Sequence, residues 1–234
     1  KRWHEKIKSL PYPYKKEGGI ALLGFDCDEG IKRNKGRAGA AEACDVLKKS
    51  MCNFAYHLEN MKLYDAGKIE ATSNLDESQI VLASHISTLL TNKHFPIVLG
   101  GGHEVAYASF LGLFNTINQD ESTAIINFDA HFDLRINAEA TSGTPFTQIA
   151  ALCEKNNAPF NYMCLGVSKS SNTKALFQKA KDLKVKYILD TKMSYANFKK
   201  IKNKLDVFLT KKEHIYISID ADVFSAYNVP AVSA

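Results

Sequence analysis

The sequence lacks any apolar run near the roughly 20 residues of a membrane span, and it shows no signal peptide. We therefore expect a cytoplasmic protein with no membrane partner. Internal repeats and low-complexity segments are absent as well. With 234 residues, of which 45% are hydrophobic and 24% charged, the chain is predicted to form a single domain over 1–234.

Clustered positive charge is also lacking, although the formal net charge is +5. The densest basic stretches, 1–8 and 199–204, fit solvated helix faces. A nucleic-acid interface would need basic residues clustered with aromatic platforms, so no nucleic-acid partner is expected.

The cysteines offer no disulfide framework, because there are five of them at irregular spacing. This usage favours a reducing compartment. Cys27, Cys44, Cys52 and His57 leave a zinc site open as one alternative. Their spacing matches no zinc-finger pattern, and buried thiols are the other interpretation.

Apolar strands alternate with amphipathic helices along most of the chain. We expect strands near 20–25, 61–67, 96–99, 125–128, 162–167, 185–189 and 213–219, and helices near 38–51, 76–92, 104–113, 173–183 and 195–210. A further helix is expected to follow the turn at 141–146 and to end near 155. This alternation predicts an α/β fold whose mostly parallel sheet is covered on both faces. Residues 1–18 contain two prolines and are expected to form an extended arm over the surface.

One strand end carries three potential metal ligands in the order Asp-Ala-His-Phe-Asp. Asp129, His131 and Asp133 would point the same way if the extended geometry persists, because side chains alternate along a strand. Two carboxylates and an imidazole favour an oxygen-preferring ion such as manganese. The alternative is a strand-end turn whose aspartates cap the next helix.

Two further strand ends carry ligands of the same kind. His103 follows three glycines after the strand near 96–99, and Asp220 and Asp222 follow the strand near 213–219. In a parallel sheet all strand C-termini open onto one crevice, so six ligands converge there and suit two ions. A phosphate-binding turn at the glycines is disfavoured, because the Lys-Ser/Thr of a P-loop is absent.

These three motifs resemble those of the ureohydrolases, the family of arginase, agmatinase and formimidoylglutamase, from about residue 20 to the end. The resemblance implies a three-layer α/β/α sandwich and two Mn²⁺ ions per chain. It implies that one ion is held by His103, Asp129, Asp133 and Asp220. His131 and Asp222 resemble the second ion's own ligands, with Asp129 and Asp220 bridging.

Within the family the chain most resembles formimidoylglutamases, which hydrolyse N-formimidoyl-L-glutamate to L-glutamate and formamide in histidine degradation. The resemblance includes the loop with Asn34 and Arg37, Arg135 after the central motif, and Ser142 in Thr-Ser-Gly-Thr-Pro-Phe. It implies that Asn34, Arg37, Arg135 and Ser142 bind the small-molecule substrate. Arginines suit a dicarboxylic acid, because their planar fork binds a carboxylate bidentately.

Two departures from the family pattern stand out. Ser142 occupies the position where agmatinases carry a histidine, so no proton-shuttling histidine is available there. The last motif continues as Pro230-Ala231 instead of Pro-Gly, and we expect the natural polypeptide to continue beyond residue 234. The strand near 213–219 is apolar on both faces, so we expect it inside the sheet or with an apolar strip left open.

For the mechanism, two adjacent divalent ions would lower the pKa of a bound water, and we expect a carboxylate, Asp133 or Asp220, to carry the proton to the departing nitrogen. Two alternatives stay open. One is another ureohydrolase, agmatinase-like or arginase-like, acting on a guanidino compound. The other is a catalytically inactive metal-binding homologue. The sequence also leaves a homo-oligomer open.

Overall fold

The computed structural model describes residues 1–58, 60–118, 122–225 and 227–229. They form two compact units, each built on its own sheet. The first comprises Lys1–Ile117 and Asn137–Pro145, and the second comprises Asn118–Ile136 and Phe146–Ala234. Every strand pairing within the two four-stranded sheets is parallel.

The first unit has the sheet order β1-β3-β2-β4. Its strands are β1 (Lys8–Ser9), β2 (Gly19–Asp26), β3 (Leu63–Glu70) and β4 (His94–Leu99), and its helices are α1 (Glu29–Arg33), α2 (Ala43–Met51), α3 (Leu75–Thr91) and α4 (Val105–Phe114). Short 3-10 helices cover Trp3–Glu5 and Ala40–Glu42. Helix α1 lies inside the stretch 26–37, which the sequence indicated only as a loop.

Strand β2 is buried on both faces, because its alternate side chains meet different helices. Ala21, Leu23 and Phe25 pack in a core cluster with the apolar face of α3. On the other face Gly24 lies against α2, where an added Cβ would come within 2.3 Å of the Cys44 sulfur. A parallel strand enclosed in this way reads as a continuous apolar run, which is how the sequence showed it.

The N-terminal segment is more than a surface arm, and that expectation was wrong in part. Leu10 and Tyr14 are buried in the core of the first unit, with 3% and 5% of their surface exposed. The Tyr14 hydroxyl lies 2.7 Å from Nδ1 of His85 on α3. Apolar contacts that follow no periodic pattern explain why this burial was not predicted.

The second unit has the sheet order β7-β6-β5-β8. Its strands are β5 (Thr123–Phe128), β6 (Asn161–Val167), β7 (Lys186–Leu189) and β8 (His214–Ile219), and its helices are α5 (Pro145–Lys155, from Phe146 onward), α6 (Lys174–Asp182) and α7 (Phe198–Leu209). Short 3-10 helices cover Asp190–Lys192, Tyr195–Asn197 and Ala221–Val223.

Helices cover both faces of this second sheet. Ile126, Met163 and Ile188 form a core cluster packed against α7. On the opposite face Phe146 of α5 stacks on Tyr162, with ring centroids 4.3 Å apart. Parallel sheets covered by helices on both faces confirm the predicted α/β/α class.

Strand β8 is an edge strand in the described part of the second unit, where it pairs with β5 alone. Its Ile215, Ile217 and Ile219 are 51%, 56% and 61% exposed. Of the two outcomes expected for this strand, the described residues therefore show the second, an apolar strip that is left open.

The single domain over 1–234 stays a prediction. None of the described helices combines the length and apolarity that a membrane crossing requires.

Ile126 and Ile217 are register neighbours, so they provide a matched pair for measuring the packing of this sheet. Ile126 is 5% exposed. Ile126→Ala should cost about 2–5 kcal/mol because it opens a cavity under α7. Ile217→Ala should change stability by only about 0.5 kcal/mol, as is usual for exposed sites. Urea titration of both variants checks this, and equal losses would contradict the described packing.

Candidate metal centre

Two neighbouring strand ends in the second unit deliver the first pair of carboxylates. Phe128 and Ile219 are register partners in β5 and β8, so Asp129 and Asp220 follow them side by side. The Asp220 amide donates to the Phe128 carbonyl at 2.8 Å, and the Asp129 amide donates to the Leu165 carbonyl at 3.0 Å. Sheet register therefore fixes the backbone of both aspartates.

The extended geometry does not continue through Asp129, His131 and Asp133, so that part of the prediction was wrong. Strand β5 ends at Phe128, and Asp133 has a left-handed backbone with φ of 48°. Oδ1 of Asp129 accepts the His131 amide at 2.6 Å, which makes a turn. The Ala130 amide donates to Oδ1 of Asp222 at 3.0 Å. The carboxylates of Asp222 and Asp129 thus accept the Ala130 and His131 amides, which are then not available for strand pairing.

The turn nevertheless brings the predicted ligands together in two groups. The ligand atoms of Asp129, Asp133 and Asp220 lie within 4.8 Å of one another, and so do those of Asp129, His131 and Asp222. Asp129 belongs to both groups, while Asp220 belongs to the first. Four carboxylates and one imidazole are a donor set that suits Mn²⁺.

The electrostatics of these groups fit a cation. Asp129 is fully buried, and Asp133 and Asp222 are each 8% exposed. Burial raises the pKa of Asp222 to about 6, and the nearby Asp129 and Asp220 charges act in the same direction. Hydrogen bonds to Asp129 and Asp222 raise the pKa of His131 to about 10. Without metal the imidazolium partly offsets the carboxylates, so metal binding must release its proton.

Residues that the sequence analysis did not single out hold this turn in place. The Asn127 side chain donates to Oδ2 of Asp129 at 2.9 Å and to the Tyr162 hydroxyl at 3.1 Å. The Tyr162 hydroxyl donates to the Phe132 carbonyl at 3.0 Å. An asparagine and a tyrosine inside apolar strands were the available signal, because a buried polar group needs partners.

Asn172 clamps the same turn from the loop after β6. Its Oδ1 accepts the Phe132 amide at 3.1 Å, and its Nδ2 donates to the Ala130 and Ser168 carbonyls, each at 2.8 Å. The side chain is buried, with 6% exposed. Two of these three hydrogen bonds hold the backbone on either side of His131, so Asn172 orients the ligands without being one.

In the first unit, His103 is 7% exposed and stands between β4 and α4. Gly100 and Gly101 before it have φ of 85° and 75°, values that favour glycine. A place for His103 beside Asp129 stays a prediction. Among the described residues, no cysteine lies in a group of side chains close enough together to hold a metal ion, so the zinc alternative gains no support.

Two of the predicted substrate residues meet within the first unit. The Asn34 side chain donates to the Ser142 hydroxyl at 3.0 Å. Arg37, in the first unit, and Arg135, in the second, are both exposed side chains. The neighbouring Arg33 instead joins Glu29 to the Ala140 and Ser73 carbonyls and ties α1 to its surroundings.

Comparison with known proteins identifies the family of the chain. The arginase family matches residues 18–234. This chain belongs to the arginase family. A formimidoylglutamase of Aeromonas hydrophila is 46% identical over 235 residues, which covers 100% of this chain and 74% of that relative. The chain therefore spans about three quarters of that relative's length.

Solved structures agree on the fold. A formiminoglutamase of Trypanosoma cruzi, crystallised with Mn²⁺, has a TM-score of 0.81 and 26% identity, covering 94% of this chain and 75% of that one. A formimidoylglutamase of Bacillus subtilis has a TM-score of 0.84 and 24% identity, covering 98% of this chain and 73% of that one. The arginase-like fold is thus reproduced over nearly the whole chain.

Asn172→Leu should weaken Mn²⁺ binding roughly 10- to 100-fold, as is usual when a residue that orients the ligands is lost. Titration calorimetry with Mn²⁺ measures this. Asn161→Leu is the matched control, because Asn161 donates to the Thr123 carbonyl at 3.2 Å at the opposite end of the strands. Unchanged affinity in a folded Asn172→Leu protein would show that the clamp is irrelevant to the ligands.

Proposed function

We propose that this protein catalyses the manganese-dependent hydrolysis of N-formimidoyl-L-glutamate to L-glutamate and formamide. The observation that carries the proposal is the pair of ligand groups sharing Asp129 at adjacent parallel strand ends. The formimidoylglutamase relative, 46% identical across the whole chain, supports the choice of substrate. We further propose that the reaction belongs to histidine degradation in the cytoplasm.

The proposed metal ligands are those of two ions. His103, Asp129, Asp133 and Asp220 would hold one ion, and His131 and Asp222, together with Asp129 and Asp220, would hold the second. When bound, two adjacent Mn²⁺ ions supply Lewis acidity and lower the pKa of water toward neutrality. The clustered carboxylates on the second unit support this assignment, because without a cation they repel one another and the single imidazolium of His131 offsets only part of their charge.

The protein's own groups then move the proton. Asp133 or Asp220 takes a proton from the attacking water and delivers it to the glutamate nitrogen as the carbon-nitrogen bond breaks. Asp133 is buried while Asp220 is half-buried, so both are shielded from bulk water to different degrees. Asn172 and Asn127 keep these ligands oriented and do not exchange protons.

We propose that substrate recognition rests on Asn34, Ser142, Arg37 and Arg135. The bonded Asn34 and Ser142 side chains present an amide and a hydroxyl at one place in the first unit. The arginines carry the positive charge that a dicarboxylic acid requires, and agmatine has no carboxylate to bind. Two carboxylates distinguish formimidoylglutamate from arginine, which has one, and from agmatine, which has none.

Asp129→Ala should remove most Mn²⁺ from both sites, whereas His131→Ala should leave one of the two ions bound, since Asp129 belongs to both ligand groups. Metal analysis after equilibrium dialysis measures the stoichiometry. One zinc per chain that survives Asp129→Ala would refute the dinuclear site.

Arg135→Ala should raise KM for formimidoylglutamate while leaving metal content unchanged. The loss should be about 2–5 kcal/mol if the contact excludes water, and far less if it stays solvated. Steady-state kinetics with Mn²⁺ added measures it, and Lys155→Ala in the same unit is a charge-matched control. An unchanged KM would assign Arg135 a structural role.

The substrate itself is tested by incubating the Mn²⁺-loaded protein with formimidoylglutamate, agmatine and arginine, and by measuring formamide and urea. Formamide from formimidoylglutamate alone is the expected result. Urea release would assign the protein to a guanidino substrate, and no product from any of the three would support an inactive metal-binding homologue.

A further inference from the structure

Glu104 has a fully buried carboxyl group that the proposed reaction does not use. Oε1 accepts the amide of Gly30 at 3.3 Å, and Oε2 is buried without a partner in normal hydrogen-bonding geometry. The Cys27 thiol also interacts with this carboxyl group. Burying a carboxyl with one oxygen unpaired is costly. Because burial of the Glu104 carboxyl is costly, we expect this group to have a specific role in the first unit.

Two glycines provide the space for this carboxyl. A Cβ added at Gly30 would lie 2.4 Å from Cδ of Glu104, and one added at Gly102 would lie 2.2 Å from Oε2. Both distances are far below a van der Waals contact. The absence of side chains at these two positions therefore permits the contact between Glu104 and the backbone of α1.

Gly30 is also the residue on which the two proposed substrate groups converge. Its carbonyl accepts the amide of Asn34 at 3.0 Å and the amide of Ser142 at 3.1 Å. The side chains of Asn34 and Ser142 are bonded to each other as well. A displacement of Gly30 would therefore also displace Asn34 and Ser142.

The other end of the link is fixed, because Glu104 sits at the start of α4. Its carbonyl accepts the side-chain amide of Gln79 on α3 at 2.9 Å, and both groups are buried. Glu104 also follows His103 directly in sequence. One rigid residue thus connects the His103 segment to the peptide that holds Asn34 and Ser142.

We infer that Glu104 is a positioning residue that sets the place of the Asn34–Ser142 pair by holding the amide of Gly30. Glu104 itself does not contact the substrate. The inference rests on the proposed function only in taking Asn34 and Ser142 as substrate contacts. Its physical core, the link through Gly30, is independent of which compound binds.

The test compares Glu104→Met with Glu104→Gln in the full Mn²⁺-loaded chain. The methionine removes the acceptor, so KM for formimidoylglutamate should rise roughly tenfold or more through misplacement of Asn34 and Ser142. Metal content should be unchanged and kcat should change less than KM. Glutamine keeps an acceptor oxygen and should restore KM toward the parent value.

Gln79→Met is the matched control, because it removes a buried hydrogen bond to the same residue without touching Gly30. It should lower thermal stability and raise KM for formimidoylglutamate much less than Glu104→Met does, because the Gly30 amide keeps its acceptor. An unchanged KM in Glu104→Met, an equal rise in Gln79→Met, or a Gln variant as impaired as the Met variant would overturn the inference. If Glu104→Met does not fold, Gly30→Ala replaces it, because its added methyl displaces the carboxyl.

Amide hydrogen exchange separates this inference from the proposed function. Peptides covering 28–34 and 141–144 should exchange faster in Glu104→Met than in Gln79→Met. A parent protein that releases no formamide would refute the function, and the exchange rates would still decide the link. Equal exchange in the two variants would refute the link even in an active enzyme.

Discussion

The crowding of four carboxylates at the ends of β5 and β8 is the constraint on which the second unit depends. Two such charges within 4.8 Å of each other repel by roughly 3.5 kcal/mol or more at an effective dielectric constant of 20. The imidazole of His131, bonded to Asp222 at 2.7 Å, offsets only part of this charge. Divalent cations at these groups would offset the rest, so the same residues that cost stability without metal would give the protein an affinity for metal.

Parallel register and buried polar clamps make that crowding possible. Pairing of Phe128 with Ile219 aligns two strand ends, so that aspartates far apart in sequence become neighbours. Tyr162 and Asn172 then bond backbone groups of the turn that leaves β5, and Asn127 donates to the carboxylate of Asp129. Buried hydrogen bonds play a similar part in the first unit. The Glu104 carboxyl accepts the Gly30 amide, and the Gly30 carbonyl accepts the amides of Asn34 and Ser142.

Much of this was predictable from sequence, for physical reasons. Apolar runs ending in Asp-Ala-His-Phe-Asp and Ser-Ile-Asp-Ala-Asp identify strand ends, and parallel strands open toward one edge. The path after Phe128 was not predictable, because side-chain capture of the Ala130 and His131 amides competes with strand geometry. Burial of Leu10 and Tyr14 and the clamping role of Asn172 arise from tertiary contacts that no local period encodes.

The central claim is that Asp129 joins two metal ions at the ends of β5 and β8. Anomalous scattering from crystals of the Mn²⁺-loaded protein, collected on both sides of the manganese absorption edge, tests it most directly. The account predicts two peaks about 3.5–4 Å apart with the carboxylate of Asp129 between them. A single peak, or two peaks that Asp129 does not bridge, would contradict it.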